Sequence, residues 1–142
     1  MFNKKIVFFI FFTMVFIGNV FANDTIRFAL ELTGINVNQG KIYVKIYSNE
    51  KDYKNDIPCI YFVLESTNQD ITPIFDIPEG EYLIALFQDT NNNGKLDTNF
   101  LGIPKEPVGL SNHTGGIPGG WNKQKFPINN NSNRIKINIR KI

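Results

Sequence analysis

Apolar and polar residues alternate along several short segments of the chain. The segments IRFALEL, KIYVKIYS and RIKINIRKI each place apolar side chains on one face and charged or polar side chains on the other. This period of two is typical of half-buried β-strands. The residues predicted to point inward are Ile26, Phe28, Leu30 and Leu32, then Ile42, Val44 and Ile46, and finally Ile135, Ile137 and Ile139.

Three further segments also have the character of strands. IPCIYFVLE is apolar on both faces, which predicts a central strand with Pro58 near its start. ITPIFDIPEGEYLIALFQD predicts a hairpin, because Pro78 and Gly80 supply turn chemistry between two apolar runs. A shorter segment, KQKFPIN, adds a possible strand near the end of the chain.

These segments together define the expected fold class. About seven short strands separated by turn residues, with no amphipathic helix after the N-terminal segment, predict an all-β protein. We expect a single antiparallel β-sandwich, with a small closed barrel as the alternative.

The N-terminal segment predicts export. Lys4 and Lys5 precede a long apolar run that ends in VFA, and polar residues follow at once. This is the pattern of a secretory signal peptide at residues 1–22, cleaved after Ala22. A retained membrane anchor is the alternative. Cleavage would leave a domain at residues 23–142, either periplasmic or secreted, with no stable membrane span.

Removal of the signal peptide also changes the charge. Of the 15 basic residues, Lys4 and Lys5 would be lost, which leaves 13 basic against 13 acidic residues. A net charge of zero argues against nucleic acid as a partner, since such binding needs a basic surplus. Cys59 is the one cysteine, so an internal disulfide is excluded. We expect a monomer.

The segment DTNNNGKLD carries the best candidate chemistry. Counted from its first residue, oxygen-bearing side chains stand at positions one, three, five and nine, with glycine at position six. This matches the first part of the EF-hand calcium loop, in which residue seven contributes its carbonyl oxygen. The predicted calcium ligands are the side chains of Asp89, Asn91, Asn93 and Asp97 and the carbonyl of Lys95.

The match to a calcium loop is incomplete. Position twelve is Phe100 instead of the usual glutamate, and the flanking segments are not helical in pattern. Glu106, Asn99 or backbone carbonyls would have to fold back to supply further oxygens. The alternative is a polar turn that binds nothing, because Asn and Asp tolerate left-handed backbone and cap their own turns.

The same segment carries a family resemblance. IPEGEYLIALFQDTNNNGKLDTNFLGIPKEPVGLSN resembles a bacterial exported family, domain of unknown function 2141, with Gln88 standing where that family tends to have His. The resemblance implies a Greek-key sandwich similar to transthyretin-like and carboxypeptidase regulatory-like domains, and it implies no function. The matching residues are Tyr82, Phe87, Asp89, Asn91, Asn93–Asn99, Gly102–Glu106, Gly109, Ser111 and Asn112.

Other candidates belong to different functional classes. Asp89, Asp97 and Glu106 in the long loop suggest a carboxylate-dependent hydrolase, if they line a cleft. Trp121 follows the glycine-rich GGIPGG and would suit a glycan-binding module, although a hydrophobic lid over the sandwich is the simpler interpretation. Cys59 is expected to be a small buried hydrophobe and His113 a solvated loop residue, not a catalytic pair.

The sequence thus predicts an exported, non-enzymatic module with a structural calcium loop and a possible glycan or protein partner at the cell envelope.

Overall fold

The computed structural model describes residues 24–142, so the expected signal peptide lies outside the described residues. In this part of the chain, eight strands and two short helices are formed. They are β1 (Thr25–Thr33), β2 (Lys41–Tyr47), α1 (Glu50–Lys54), β3 (Ile60–Glu65), β4 (Ile74–Pro78), β5 (Gly80–Asp89), β6 (Val108–Leu110), α2 (Trp121–Gln124), β7 (Phe126–Ile128) and β8 (Arg134–Asn138). The all-β class is confirmed, and the segment KQKFPIN contributes β7.

The larger sheet has the strand order β3-β2-β5-β6, with every neighbouring pair antiparallel. β7 pairs with residues 80–82 at the start of β5, and β6 pairs with residues 85–87 further along the same strand. The register places Val44 opposite Phe62 on one side and Leu86 on the other. Alternate residues of each strand therefore point into the space between the two sheets.

The smaller sheet has the order β4-β1-β8. β4 runs antiparallel to β1, but β8 runs parallel to it, with Leu30 opposite Ile135 and Leu32 opposite Ile137. The expectation of a wholly antiparallel sandwich is wrong for this pair. Apolar and polar residues alternate in the same way whichever direction a strand runs. The sequence pattern therefore could not show that β8 is parallel to β1.

The hydrophobic core fills the space between the two sheets. The residues predicted to point inward from β1 and β2 are all buried, and Phe28 packs against Phe75 and Phe126 with ring centroids 5.7 and 6.0 Å apart. The described residues thus form two packed sheets and not a closed barrel. A single bridge between Val108 and Arg140 links the sheet edges.

The predicted hairpin across Pro78 and Gly80 is wrong. Both strands exist, but β4 pairs with β1 in the smaller sheet, whereas β5 pairs with β2 in the larger one. Only Glu79 separates them, and the Tyr82 hydroxyl donates to the Pro78 carbonyl across the corner at 2.9 Å. Proline and glycine favour a sharp change of direction, and that change here carries the chain from one sheet to the other.

β3 is an edge strand, so its predicted central position is also wrong. Its outward residues Tyr61 and Val63 stay 53% and 39% exposed because no layer covers that face. Cys59, which was expected to be buried, is exposed just before this strand. The segment is apolar at successive positions, which indicated that both faces of the strand are buried. In the structure, the side chains of one face lie on the outer surface.

Neither helix was predicted, because α1 has five residues and α2 has four, too few to show a helical period. Asn49 caps the N-terminus of α1, and its side chain accepts from the Asp52 amide at 2.9 Å. In the described part of the chain, no helix has both the length and the apolar character that a membrane crossing requires.

Candidate metal centre

The candidate loop begins where β5 ends. Asp89 is the last residue of that strand, paired with Lys41 of β2, and its side chain is fully buried. Its carboxylate accepts from the backbone amides of Asn93 at 3.1 Å and Gly94 at 2.7 Å. Gly94 has a φ of 76°, which permits the sharp bend that turns both amides toward this carboxylate. Asp89 therefore holds the loop in a tight curl from its first residue.

Three further predicted ligands converge within this curl. The Asp97 Oδ2 atom accepts from Asn91 Nδ2 at 2.6 Å and from Asn93 Nδ2 at 2.9 Å. The side-chain oxygens of the two asparagines accept from the backbone amides of Asn93 and Lys95, at 3.1 and 2.9 Å. The spacing of positions three, five and nine thus brings these side chains together. Each amide oxygen keeps a second lone pair beyond the one used by the backbone.

The fifth predicted ligand is the carbonyl oxygen of Lys95. No hydrogen bond within residues 24–142 uses its oxygen. A carbonyl with no internal partner on a curled loop is available to water or to a cation.

Glu106 holds the two ends of the loop together. Its Oε1 accepts from the Thr90 amide at 2.9 Å, and its Oε2 accepts from the Asp97 amide at 3.2 Å. Only 3% of this residue is exposed. The segment before it pairs back on the loop, since the Lys105 amide donates to the Asp97 carbonyl at 2.8 Å. The segment that ends in Glu106 therefore folds back on the loop, and Glu106 joins the backbone at the two ends of the curl.

Asn99, the other remote candidate, serves a different turn. Its Oδ1 accepts from the amides of Leu101 and Ile103, at 2.9 and 3.0 Å. Phe100, at the twelfth position, is 95% exposed. The second part of the long loop thus makes its own turn and contributes no side-chain oxygen from these two residues to the curl.

The electrostatics of the loop are unusual. Three carboxylates, those of Asp89, Asp97 and Glu106, lie within one hydrogen-bonded unit, and none takes part in the five ion pairs of the described chain. Backbone amides, the side-chain N–H₂ groups of Asn91 and Asn93, and the Thr90 hydroxyl donate to them.

The kinds of donor limit which cation would suit the loop. Residues 24–142 contain no group of three or more His, Cys, Asp or Glu side chains arranged to hold a metal ion. A cation here would depend on amide and carbonyl oxygens beside two carboxylates. Such all-oxygen ligand sets suit calcium better than zinc or copper.

The other sequence candidates do not form catalytic groupings. Cys59 precedes β3 and His113 follows β6, at opposite edges of the larger sheet with two strands between them. The Cys59 thiol donates to the Ile46 carbonyl at 3.2 Å. His113 is half-buried beside Arg140 in a cleft at the seam between the sheets.

Trp121 is buried, with 8% of its surface exposed. It packs with Leu83 and Tyr47 on the outer face of the larger sheet. The side chain covers that face in the manner of a lid, and it is not displayed as a flat platform for a sugar ring.

A second feature of the outer face was not predicted. Tyr43, Tyr47 and Tyr61 point outward from β2 and β3 and line a cleft with Lys45 and Asp56. The signal in the sequence was the placement of tyrosine at strand positions where a solvated face would ordinarily carry charged residues.

The fold and loop define the protein class as a two-sheet β-sandwich with a carboxylate- and asparagine-rich loop after its central strand. The chain belongs to the family described as "Uncharacterized protein conserved in bacteria (DUF2141)", whose model matches residues 30–136. The suspected resemblance is thereby confirmed. No curated protein and no solved structure shows significant similarity to the chain.

Proposed function

We propose that the protein is an exported, non-enzymatic binding module whose loop from Asp89 to Asp97 binds a calcium ion that orders it. The observation that carries the calcium site is the convergence of the Asn91, Asn93 and Asp97 side chains inside the curl that Asp89 holds, described above. Without a cation, hydrogen bonds alone hold these side chains together. A bound divalent cation would favour that curl.

The proposed ligands are the side-chain oxygens of Asp89, Asn91, Asn93 and Asp97 and the carbonyl oxygen of Lys95. Calcium takes about six to eight oxygens, so about one to three waters would complete the shell. Glu106 is proposed as a positioning residue, because it lies outside the motif and its two oxygens join the backbone amides of Thr90 and Asp97 at the two ends of the loop. Only two of the direct ligands are charged, which favours modest affinity suited to a calcium-rich exterior compartment.

The non-enzymatic assignment is supported by how the carboxylates are used. The hydrolase alternative needs Asp89, Asp97 and Glu106 to face a substrate, yet Asp89 and Glu106 are buried and bonded to backbone amides. A carboxylate in such a role positions the chain. An esterase and glycosidase substrate panel tests this directly, and turnover that disappears in Glu106→Gln would favour the hydrolase instead.

The calcium site is tested by thermal unfolding of the purified protein after chelation, with and without calcium. A ligand at 100 times its Kd stabilises the folded state by about 2.7 kcal/mol, so the midpoint should rise clearly. Magnesium should give a smaller rise, because it requires a stricter octahedral geometry. Equal midpoints in chelator and in calcium would contradict the proposal.

Asp97→Asn locates the cation. This change keeps the shape of the side chain and removes one charged ligand, so the calcium-dependent rise should shrink while stability in chelator changes little. Asp89 is less suitable, since its carboxylate also holds two backbone amides. Asp70→Asn, at an exposed aspartate outside the loop, is the matched control and should keep the full rise.

Export is tested separately by mass spectrometry of the protein from an expressing bacterium. A chain that begins at Asn23 in the periplasm or medium would support cleavage after Ala22. An intact N-terminus in the membrane fraction would favour the retained anchor.

A further inference from the structure

The outer face of the larger sheet carries an open cleft of about 610 Å³. Its floor comes from β2, β3 and β5, and one wall comes from the candidate calcium loop. This size lies within the usual range of small-ligand sites, roughly 300–1,000 Å³. The residues that define it are Tyr43, Lys45, Asp56, Tyr61, Phe87 and Lys95.

One side of the cleft is aromatic. Tyr43 stacks on Phe87 with ring centroids 5.0 Å apart and planes 8° from parallel. Tyr61 lies beside Tyr43, with centroids 6.3 Å apart, and more than half of its surface is exposed. The three rings thus form a row across three neighbouring strands. Phe87 is the buried end of this row, whereas Tyr61 at the other end is open to a ligand.

The other side of the cleft is polar and consists of side chains that hydrogen-bond to one another. Lys45 Nζ donates to both oxygens of Asp56, at 2.8 and 2.6 Å, and the Tyr47 hydroxyl donates to Asp56 Oδ1 at 2.5 Å. Asp56 follows α1 with a φ of 54°, a left-handed conformation that costs free energy in a residue other than glycine. Its side chain is nevertheless 62% exposed, so carboxylate lone pairs remain accessible from the cleft.

The chemistry of the two sides limits what the cleft can bind. The Lys45–Asp56 pair is neutral overall, and it offers both a donor and an acceptor at one place. A purely apolar ligand would desolvate that charged pair at a cost in free energy, whereas hydroxyl groups can form hydrogen bonds with it. The matching ligand has an apolar face for the aromatic row and neutral groups that both donate and accept. A sugar ring has these properties, with C–H bonds on its face and hydroxyls at its edge.

We propose that this cleft is a carbohydrate-binding site. The exposed ring of Tyr61, supported by Tyr43, contacts the apolar face of one sugar residue. Asp56 accepts from ring hydroxyls, and Lys45 donates to a neighbouring hydroxyl oxygen. The site is distinct from Trp121, which packs beneath the surface at another part of the same face.

The candidate calcium loop forms one wall of this cleft through Gly94, Lys95 and Leu96. The Tyr43 hydroxyl lies next to Gly94, 3.8 Å from where a β-carbon on that glycine would stand. The aromatic row and the Lys45–Asp56 pair belong to strands and to the segment after α1, so the proposed sugar site does not require calcium.

Isothermal titration of the purified protein with neutral cello-, malto- and chito-oligosaccharides tests the proposal, in calcium and in chelator. Binding to at least one of them is expected in both buffers. Tyr61→Ala should weaken it about tenfold or more, a loss of about 1.4 kcal/mol, since Tyr61 supplies the exposed ring that contacts the sugar. Asp56→Asn should also weaken it, because the amide lacks the charged acceptor.

Val63→Ala is the matched control. Val63 is exposed on the same face of the same strand, two residues beyond Tyr61, and it does not line the cleft. Its substitution should leave the affinity unchanged. The proposal is overturned if no oligosaccharide binds at millimolar concentration, or if binding survives both Tyr61→Ala and Asp56→Asn. Sugar binding in chelator together with an absent calcium response would refute only the calcium site.

Discussion

Gly40 lies directly against the carbonyl oxygen of Asp89. A β-carbon built on Gly40 would fall inside the van der Waals radius of that oxygen, and the φ of Gly40 is +69°. Gly40 precedes β2, and Asp89 ends the neighbouring β5 at the entrance to the candidate calcium loop. The close approach of these two backbones therefore fixes where the loop leaves the sheet.

Gly40→Ala should destabilise the protein by on the order of 3–5 kcal/mol, because the new methyl group collides with backbone and the φ is unfavourable. Denaturant unfolding measures the change. Gly102→Ala is the control, since Gly102 has a φ of +77° with no atom within 4 Å of the added β-carbon. Its cost should be only about 1–2 kcal/mol. Equal losses for the two variants would show that the contact with Asp89 is unimportant.

Gln88 should prove essential to the loop between β1 and β2. It is fully buried, accepts from the Asn36 amide at 2.9 Å, and donates to the Asn36 and Gln39 carbonyls at 2.6 and 2.7 Å. Gln88→Leu should cost about 2–4 kcal/mol, because each unsatisfied buried group costs about 1–3 kcal/mol. Gln39→Leu, at an exposed side chain, should be near neutral in the same unfolding experiment. A loss below 1 kcal/mol for Gln88→Leu would contradict this role.

Glu106→Gln should loosen the candidate calcium loop. The amide of glutamine would present an N–H₂ group to either the Thr90 or the Asp97 amide, so one of two hydrogen bonds would be replaced by a donor facing a donor. We expect a loss of about 1–3 kcal/mol and faster hydrogen exchange at Thr90 and Asp97. Unchanged exchange at both amides would count against the bridging role.

The Lys45–Asp56 pair should make stability depend on pH in the acid range. Partial burial opposes ionisation of Asp56, but hydrogen bonds from Lys45 and Tyr47 and the Lys45 charge outweigh it, so the pKa of Asp56 lies below its ordinary 3.8. A carboxyl with a lowered pKa in the folded state stabilises the fold above pH 3.8 and loses that contribution as pH falls through the folded pKa. Asp56→Asn should therefore lower the melting temperature at pH 7 but match the wild type near pH 2. A constant difference between these pH values would refute the linkage.

Trp121→Ala should lower stability without a specific effect on ligand binding. The indole is buried against Leu83 and Tyr47, and truncation of a buried tryptophan costs about 3–5 kcal/mol. Trp121 is the one tryptophan of the chain, so its fluorescence reports directly on this packing. Emission at a blue-shifted wavelength in the folded protein is expected, with a red shift on unfolding. Water-exposed emission from the folded protein, together with a glycan-array signal that Trp121→Ala abolishes, would restore the earlier glycan hypothesis for this residue.

The sequence allowed the core-facing residues to be predicted because alternation in a strand reports burial directly. Ile42, Val44 and Ile46 point inward as expected, and so do Ile137 and Ile139 near the end of the chain. The same pattern says nothing about the neighbour of a strand or its direction. For this reason the parallel pairing of β8, the edge position of β3 and the change of sheet at Gly80 appear only in the structure.

The candidate loop could be predicted because the residues that form its curl are close together in the sequence. The curl from Asp89 to Gly94 depends on residues within five positions of each other, so the motif contains the information. The cleft was not predictable, because Tyr43 and Asp56 come together through the register of β2 and the turn after α1. The sequence also does not show that Asp56 has a positive φ.

The pairing of β1 with β8 has a consequence for the order of events during synthesis. Arg134 donates to Glu31 at 3.2 Å across a separation of 103 residues, and β1 is the central strand of its sheet. Contacts so distant along the chain slow folding, because a long loop must close before they form. The smaller sheet therefore stays incomplete until the ribosome has added residue 138, and a nascent chain carries an unpaired edge of β1 until then.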